Sequence, residues 1–139
     1  MSYATIEDLE QRLGEAKYKS IYRDDTAKAG DDLAESGAEL NGYLAKRYAV
    51  PVTAPDALIL LRAWELDLAV ERAYLRPGGS EIPEKYKTRA ATVRQNLRDI
   101  AKGSMVLPAD ALENQNSAGG SVFVTGNDPE FTRDKMAGY

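Results

Sequence analysis

The sequence predicts an all-α fold, a small helical bundle of four main helices followed by an extended C-terminal arm. Three observations carry this. Apolar residues recur at three- and four-residue spacing in successive long stretches up to Lys102. No stretch before residue 104 alternates with a period of two over a useful length, so no sheet is expected in the body. Past Gly103 the composition turns to Gly, Ser, Asn and Gln, which no packed core needs. The bundle is therefore assigned to residues 1–103 and the arm to residues 104–139.

The first helix opens at "TIEDLEQRLG". Thr5 suits an N-cap and Asp8 stands three residues on, in a capping-box position. Ile6, Leu9 and Leu13 form its apolar stripe, and Gly14 provides a left-handed stop. "AKYKSIY" adds about one more turn, with Tyr18, Ile21 and Tyr22 on one side. The polar run "RDDTAKAGDD" reads as a loop leading to a second helix over Asp31–Tyr48, capped by Asp31 or Asp32. Leu33, Ala34, Gly37, Leu40, Leu44 and Tyr48 give that helix one apolar face, and the small pair Gly37 and Ala38 permits close helix approach.

Pro51 disfavours helical geometry at Val50, while Thr53 and Pro55 suit a new helix start. The third helix, Pro55–Arg76, is apolar on most sides through Leu58, Ile59, Leu61, Trp64, Leu68, Ala69 and Ala73. Such a helix belongs at the centre of a bundle. "RPGGSEIP" ends it. The fourth helix runs over Pro83–Lys102 with Gly103 as its stop, and Tyr86, Ala90, Val93, Leu97 and Ile100 form a packing seam.

Composition narrows the chemistry. The chain of 139 residues carries a net charge of −4 and has neither Cys nor His. That removes disulfides, thiolate nucleophiles, Cys/His zinc sites and imidazole bases together. The N-terminal residues lack the basic and apolar regions of a signal peptide. The most apolar window, Ala57–Leu75, contains Arg62, Glu65, Asp67, Glu71 and Arg72. Inserting each Asp or Arg near a bilayer centre costs about 2.5–3.5 kcal/mol, so no membrane partner is expected.

The twelve residues from Asp24 to Glu35 match a calcium-loop length, but Thr26 and Lys28 fall at ligand positions and Gly30 one place late. A solvated loop is the better reading, and no metal or other cofactor is expected. Glu65 with Arg62 reads as an ordinary surface pair. Lys87, Arg94 and Arg98 share a face of the fourth helix that suits phosphates, which supplies an alternative reading as a helical regulatory module contacting nucleic acid. Glu81, Glu84 and Asp99 dilute that field, so a solvated helix face is preferred. Catalytic residues are not expected, since no nucleophile–base arrangement is legible.

The arm reads differently. A short apolar anchor, "MVLP", precedes a polar linker and a β-favouring patch at Val122, Phe123 and Val124. Phe131, Thr132, Arg133, Met136 and Tyr139 then close the chain, with apolar and charged residues interspersed. Segments of this composition order on a partner by strand addition or as a short helix in a groove. These eight residues are the candidate partner-binding site.

Three stretches carry a family resemblance: "MSYATIEDLEQRLGE", "ELNGYLAKRYAVPV" and "FTRDKMAGY". They resemble a Mu-like phage and prophage family long catalogued as of unknown function. Its linking motif falls here on Leu40, Gly42, Tyr43, Leu44, Arg47, Tyr48 and Pro51. Its closing motif falls on Phe131, Thr132, Arg133, Asp134, Met136, Gly138 and Tyr139. The resemblance implies a virion morphogenesis protein similar to head–tail connector adaptors, located in the virion neck and assembled in the host cytoplasm. It implies a homo-oligomeric ring below the portal, formed from a chain that is monomeric in isolation. The implied partners are the portal protein and neck or tail-completion proteins, with no sequence-specific nucleic acid.

Overall fold

Thr5 starts the first helix as its spacing predicts. In the computed structural model, which describes residues 2–108, the Thr5 hydroxyl accepts the Asp8 N–H at 3.1 Å and the Asp8 carboxylate accepts the Thr5 N–H at 3.0 Å. Helix α1 (Ile6–Leu13) ends at Gly14, whose φ of 90° suits glycine, but its ψ of 147° is extended, not the left-handed helical stop expected, because the chain turns straight into a new helix. The chain then restarts as α2 (Glu15–Tyr22), a helix of its own rather than one added turn. Helices α3 (Thr26–Leu44), α4 (Pro55–Tyr74) and α5 (Glu84–Lys102) complete the order. Among the described residues there is no strand, so the fold is all-α.

Two expectations need correction here. Helix α3 begins at Thr26, five residues before the expected start, so most of "RDDTAKAGDD" is helical. Ala27 and Ala29 are strong helix formers, and the single Gly30 costs only about 1 kcal/mol. Asp32 consequently lies in the helix interior and caps nothing. The second correction concerns Ile59, which is 69% exposed although its helix is central. Helix α4 packs against α1, α3 and α5, but α1 covers its outer side only further along, around Leu66 and Val70.

The core has two parts. One gathers Leu40, Leu44, Leu61, Trp64, Leu68, Ala90, Val93, Leu97 and Ile100 from α3, α4 and α5, together with Tyr48 in the turn after α3, which ends at Leu44 and not at Tyr48 as expected. The other seats Leu9, Tyr18, Ile21 and Tyr22 against Leu33, Leu66, Val70 and Ala73. Each fully buried leucine contributes about 1.5–3 kcal/mol relative to exposure. The predicted seam on α5 is buried at Ala90, Val93, Leu97 and Ile100, and Gly103 closes that helix in the left-handed region with φ 87°.

Helix α4 thus divides its sides between two clusters, and long-range polar contacts hold the other helices to it. Asp32 accepts Arg76 Nε at 2.8 Å and Nη2 at 3.0 Å, and it also accepts the Tyr22 hydroxyl. Burial and that bond push the Tyr22 phenol well above the ordinary tyrosine range. Arg12 of α1 meets Asp67 of α4 at 2.6 Å. Burial raises the Asp67 carboxyl, and Arg12 only partly offsets it.

Candidate functional site

Leu107 marks where the described chain leaves the bundle. It is buried in the first core cluster, with Met105 half-buried beside it, so the apolar anchor expected in the sequence docks on the body. The Leu107 N–H donates to the Tyr48 hydroxyl at 2.9 Å, a buried bond. Ser104 and Met105 N–H groups both reach the Asp99 carbonyl, at 2.8 and 3.2 Å. These contacts satisfy backbone groups that the end of a helix leaves over. The described chain therefore ends close to a fixed point on the bundle. The candidate residues Val122, Phe123, Val124, Phe131, Thr132, Arg133, Met136 and Tyr139 lie outside the described residues.

The same end of the bundle also grips the start of the chain. The Tyr3 hydroxyl donates to Asn41 Oδ1 at 2.6 Å and accepts the Val52 N–H at 3.1 Å. The Tyr3 and Ala4 N–H groups donate to the two carboxylate oxygens of Glu65, at 2.8 and 2.9 Å. Glu65 is completely buried, which corrects the surface-pair expectation. A helix position beside Arg62 says nothing about a backbone 61 and 62 residues away. Burial raises the Glu65 carboxyl, with the two N–H donors opposing that rise.

The stretch from Asn41 to Val52 therefore connects both ends of the described chain. Leu40 and Leu44 fill the core, Tyr48 holds Leu107, and Asn41 with Val52 holds Tyr3. The Arg47 guanidinium lies directly against Gly103, where a Cβ would run into it. Gly42 is different: a Cβ built there meets nothing within 4 Å. Of the motif residues, Leu40, Leu44, Arg47 and Tyr48 have their place in this junction, whereas Gly42 is not required by it.

The suspected phosphate face does not stand as three solvated cations. Lys87 and Arg98 are exposed, but Arg94 is drawn between helices. It donates to Glu39 at 2.7 Å and meets Glu71 at 2.7 Å. Arg72 completes the cluster, reaching Glu39 at 2.9 Å and Glu35 at 3.3 Å. The bond to Glu39 raises Arg94 further above its already high range, so it is a permanent cation committed to these carboxylates. Burial alone would raise Glu39, yet Arg94 and then Arg72 outweigh it and hold the carboxyl below the ordinary glutamate range.

Among the described residues no group of three or more carboxylates is placed to hold a metal ion, and no helix is long and apolar enough to cross a membrane. Among the described residues the geometry is that of a helical body to which the last of them, around Leu107, are anchored. A family model described as Bacteriophage Mu, Gp36 matches residues 3–125. The match includes the Asn41–Val52 junction, the Leu107 anchor and Val122–Val124, and it ends before Phe131. No curated protein matches the chain.

Proposed function

The chain belongs to the Bacteriophage Mu Gp36 family, and from that premise we propose that it is a structural, non-enzymatic virion morphogenesis protein acting as a head–tail connector adaptor. In this reading copies of the bundle form a ring below the portal in the virion neck. Residues 109–139 grip the portal, a neighbouring copy or the next neck component, through Val122–Val124 and through Phe131, Thr132, Arg133, Met136 and Tyr139.

The observation that carries this reading is the buried Tyr48–Leu107 bond. An arm that binds a partner transmits that attachment only if its base is fixed to a folded body. A base seated in the core meets this requirement, and the apolar and arginine residues beyond it are suitable anchors. The commitment of Arg94 to Glu39 and Glu71 further favours an assembly role over binding of nucleic acid.

The test removes residues 109–139 and keeps Leu107 and Pro108. The truncated chain is expected to retain its helical circular dichroism and unfolding midpoint while failing to add a ring to purified cognate portal in electron micrographs. A truncated chain that still joins heads to tails at wild-type yield would overturn the proposal.

A further inference from the structure

Four arginines of the bundle, Arg12, Arg72, Arg76 and Arg94, are turned into carboxylates of another helix. Lys85 and Arg89 are not. They stand one turn apart at the start of α5, both exposed, and neither forms an ion pair among the described residues. Their cationic groups lie 5.0 and 5.9 Å from the centroid of the Tyr86 ring. That ring sits 5.7 Å from Tyr74, which has the Lys17 ammonium 5.3 Å above it. Lys17 is further held by the Gly79 carbonyl and the Ser80 hydroxyl. Two half-buried rings thus hold three cations on one face, which lowers the ordering cost of binding an anion.

The chemistry of this face selects discrete carboxylates. Cations already occupy positions over the rings, so nucleobases have no open platform for stacking. Glu81 and Glu84 border Lys85 in sequence and oppose a continuous polyanion. Asp67, whose carboxylate also feels the charge of Arg89, is ion-paired with Arg12.

A counterpart exists on the same chain. Glu7, Glu10, Gln11, Gly14 and Glu15 line an open hollow of about 390 Å³ where α1 meets α2. Glu15 is engaged by Lys19 at 3.0 Å, whereas Glu7 and Glu10 form no ion pair among the described residues. On α1 these acids lie on a different side from Arg12, which is turned towards Asp67. Glu7 and Glu10 therefore stand apart from the Arg12–Asp67 pair.

We propose that the Lys17, Lys85 and Arg89 face of one copy receives the Glu7 and Glu10 face of a second copy. The contact is heterologous, of the kind that generates a ring when its rotation closes. It deepens the ring reading above and rests on it for its biological setting. Because Glu7, Lys85 and Arg89 are exposed, with Lys17 and Glu10 only half-buried, the contact is weak at ordinary ionic strength and strengthens as salt is lowered.

The experiment uses sedimentation of the full chain at low ionic strength with two double variants, K85E/R89E and E7K/E10K. The wild type is expected to self-associate and to dissociate on adding salt. Each variant alone is expected to lose association about tenfold or more. An equimolar mixture of the two is expected to regain it, because each reversed face then meets its complement. Circular dichroism confirms that both remain folded.

A wild-type chain that stays monomeric at low salt overturns the contact, and so does a mixture that fails to recover. Adding cognate portal separates the two proposals. Normal rings built on the portal by K85E/R89E would reject the contact and leave the ring reading standing. Charge-swapped association in solution with no attachment to portal would do the reverse.

Discussion

Two buried tyrosines offer a controlled comparison in which the same atom is removed with different consequences. The Tyr48 hydroxyl accepts the buried Leu107 N–H at 2.9 Å. Tyr48→Phe strips that partner and leaves a main-chain donor unsatisfied inside the core, at a cost of about 1–3 kcal/mol. In a domain of this size each kcal/mol moves the midpoint by about 4–8 °C, so a loss of about 1.5 kcal/mol lowers Tm by about 6–12 °C. The Tyr18 hydroxyl is also buried but has no hydrogen-bond partner among the described residues. Tyr18→Phe forfeits no bond and relieves the burial of a polar group, so it is expected to be neutral or stabilising within about 1 kcal/mol. Urea unfolding followed by far-ultraviolet circular dichroism measures both, with unchanged m-values confirming comparable transitions. Amide exchange at Leu107 should accelerate in Tyr48→Phe alone. Equal destabilisation by the two substitutions, or no loss in Tyr48→Phe, would refute the view that this bond fixes Leu107 to the bundle.

Other expectations follow from the same contacts. Because Glu39 is held below the glutamate range in the fold, its contribution is present at neutral pH and disappears as pH falls through that depressed value. Glu39→Gln should therefore destabilise at pH 7 and converge with wild type in acid, read from urea midpoints across pH. Arg76→Ala leaves the buried Asp32 carboxylate without its charge partner and should cost about 3–5 kcal/mol in the same assay. Gly79→Ala drives a Cβ into the Tyr74 backbone and should lower Tm sharply. Gly42→Ala, with open space around it inside α3, should raise stability by about 0.5–1 kcal/mol. A Gly42→Ala chain that is more stable yet fails in assembly would mark position 42 as a contact surface.

The parts legible in the sequence were those set by near neighbours. The Thr5–Asp8 box, the stops at Gly14 and Gly103, and the α5 seam all depend on residues within one or two turns. The start of α3 was missed because Asp31 and Asp32 resemble caps, while the actual first turn has no side-chain cap at Asp25. Buried charges were harder to read. Asp32 depends on Arg76, Arg94 on Glu39, and Glu65 on the backbone of Tyr3 and Ala4, each a pairing across dozens of residues. Spacing along one helix reports which residues share a side, but not whether another chain segment comes to cover it. The tyrosines at helical spacing did signal core positions, yet the use of Tyr3 and Tyr48 hydroxyls as fasteners depends on tertiary contacts alone.

The seating of Leu107 has a mechanical consequence. A pull on residue 109 enters the body through the Leu107 side chain and the Tyr48 hydroxyl, beyond the C-terminal end of α5. It does not peel α5 away turn by turn, because the load meets the junction between α3 and α4 first. That junction also fastens Tyr3 to Asn41 and Val52, so tension spreads across the larger core cluster before reaching α1 and α2. Under load, Tyr48 is the shear pin of this bundle.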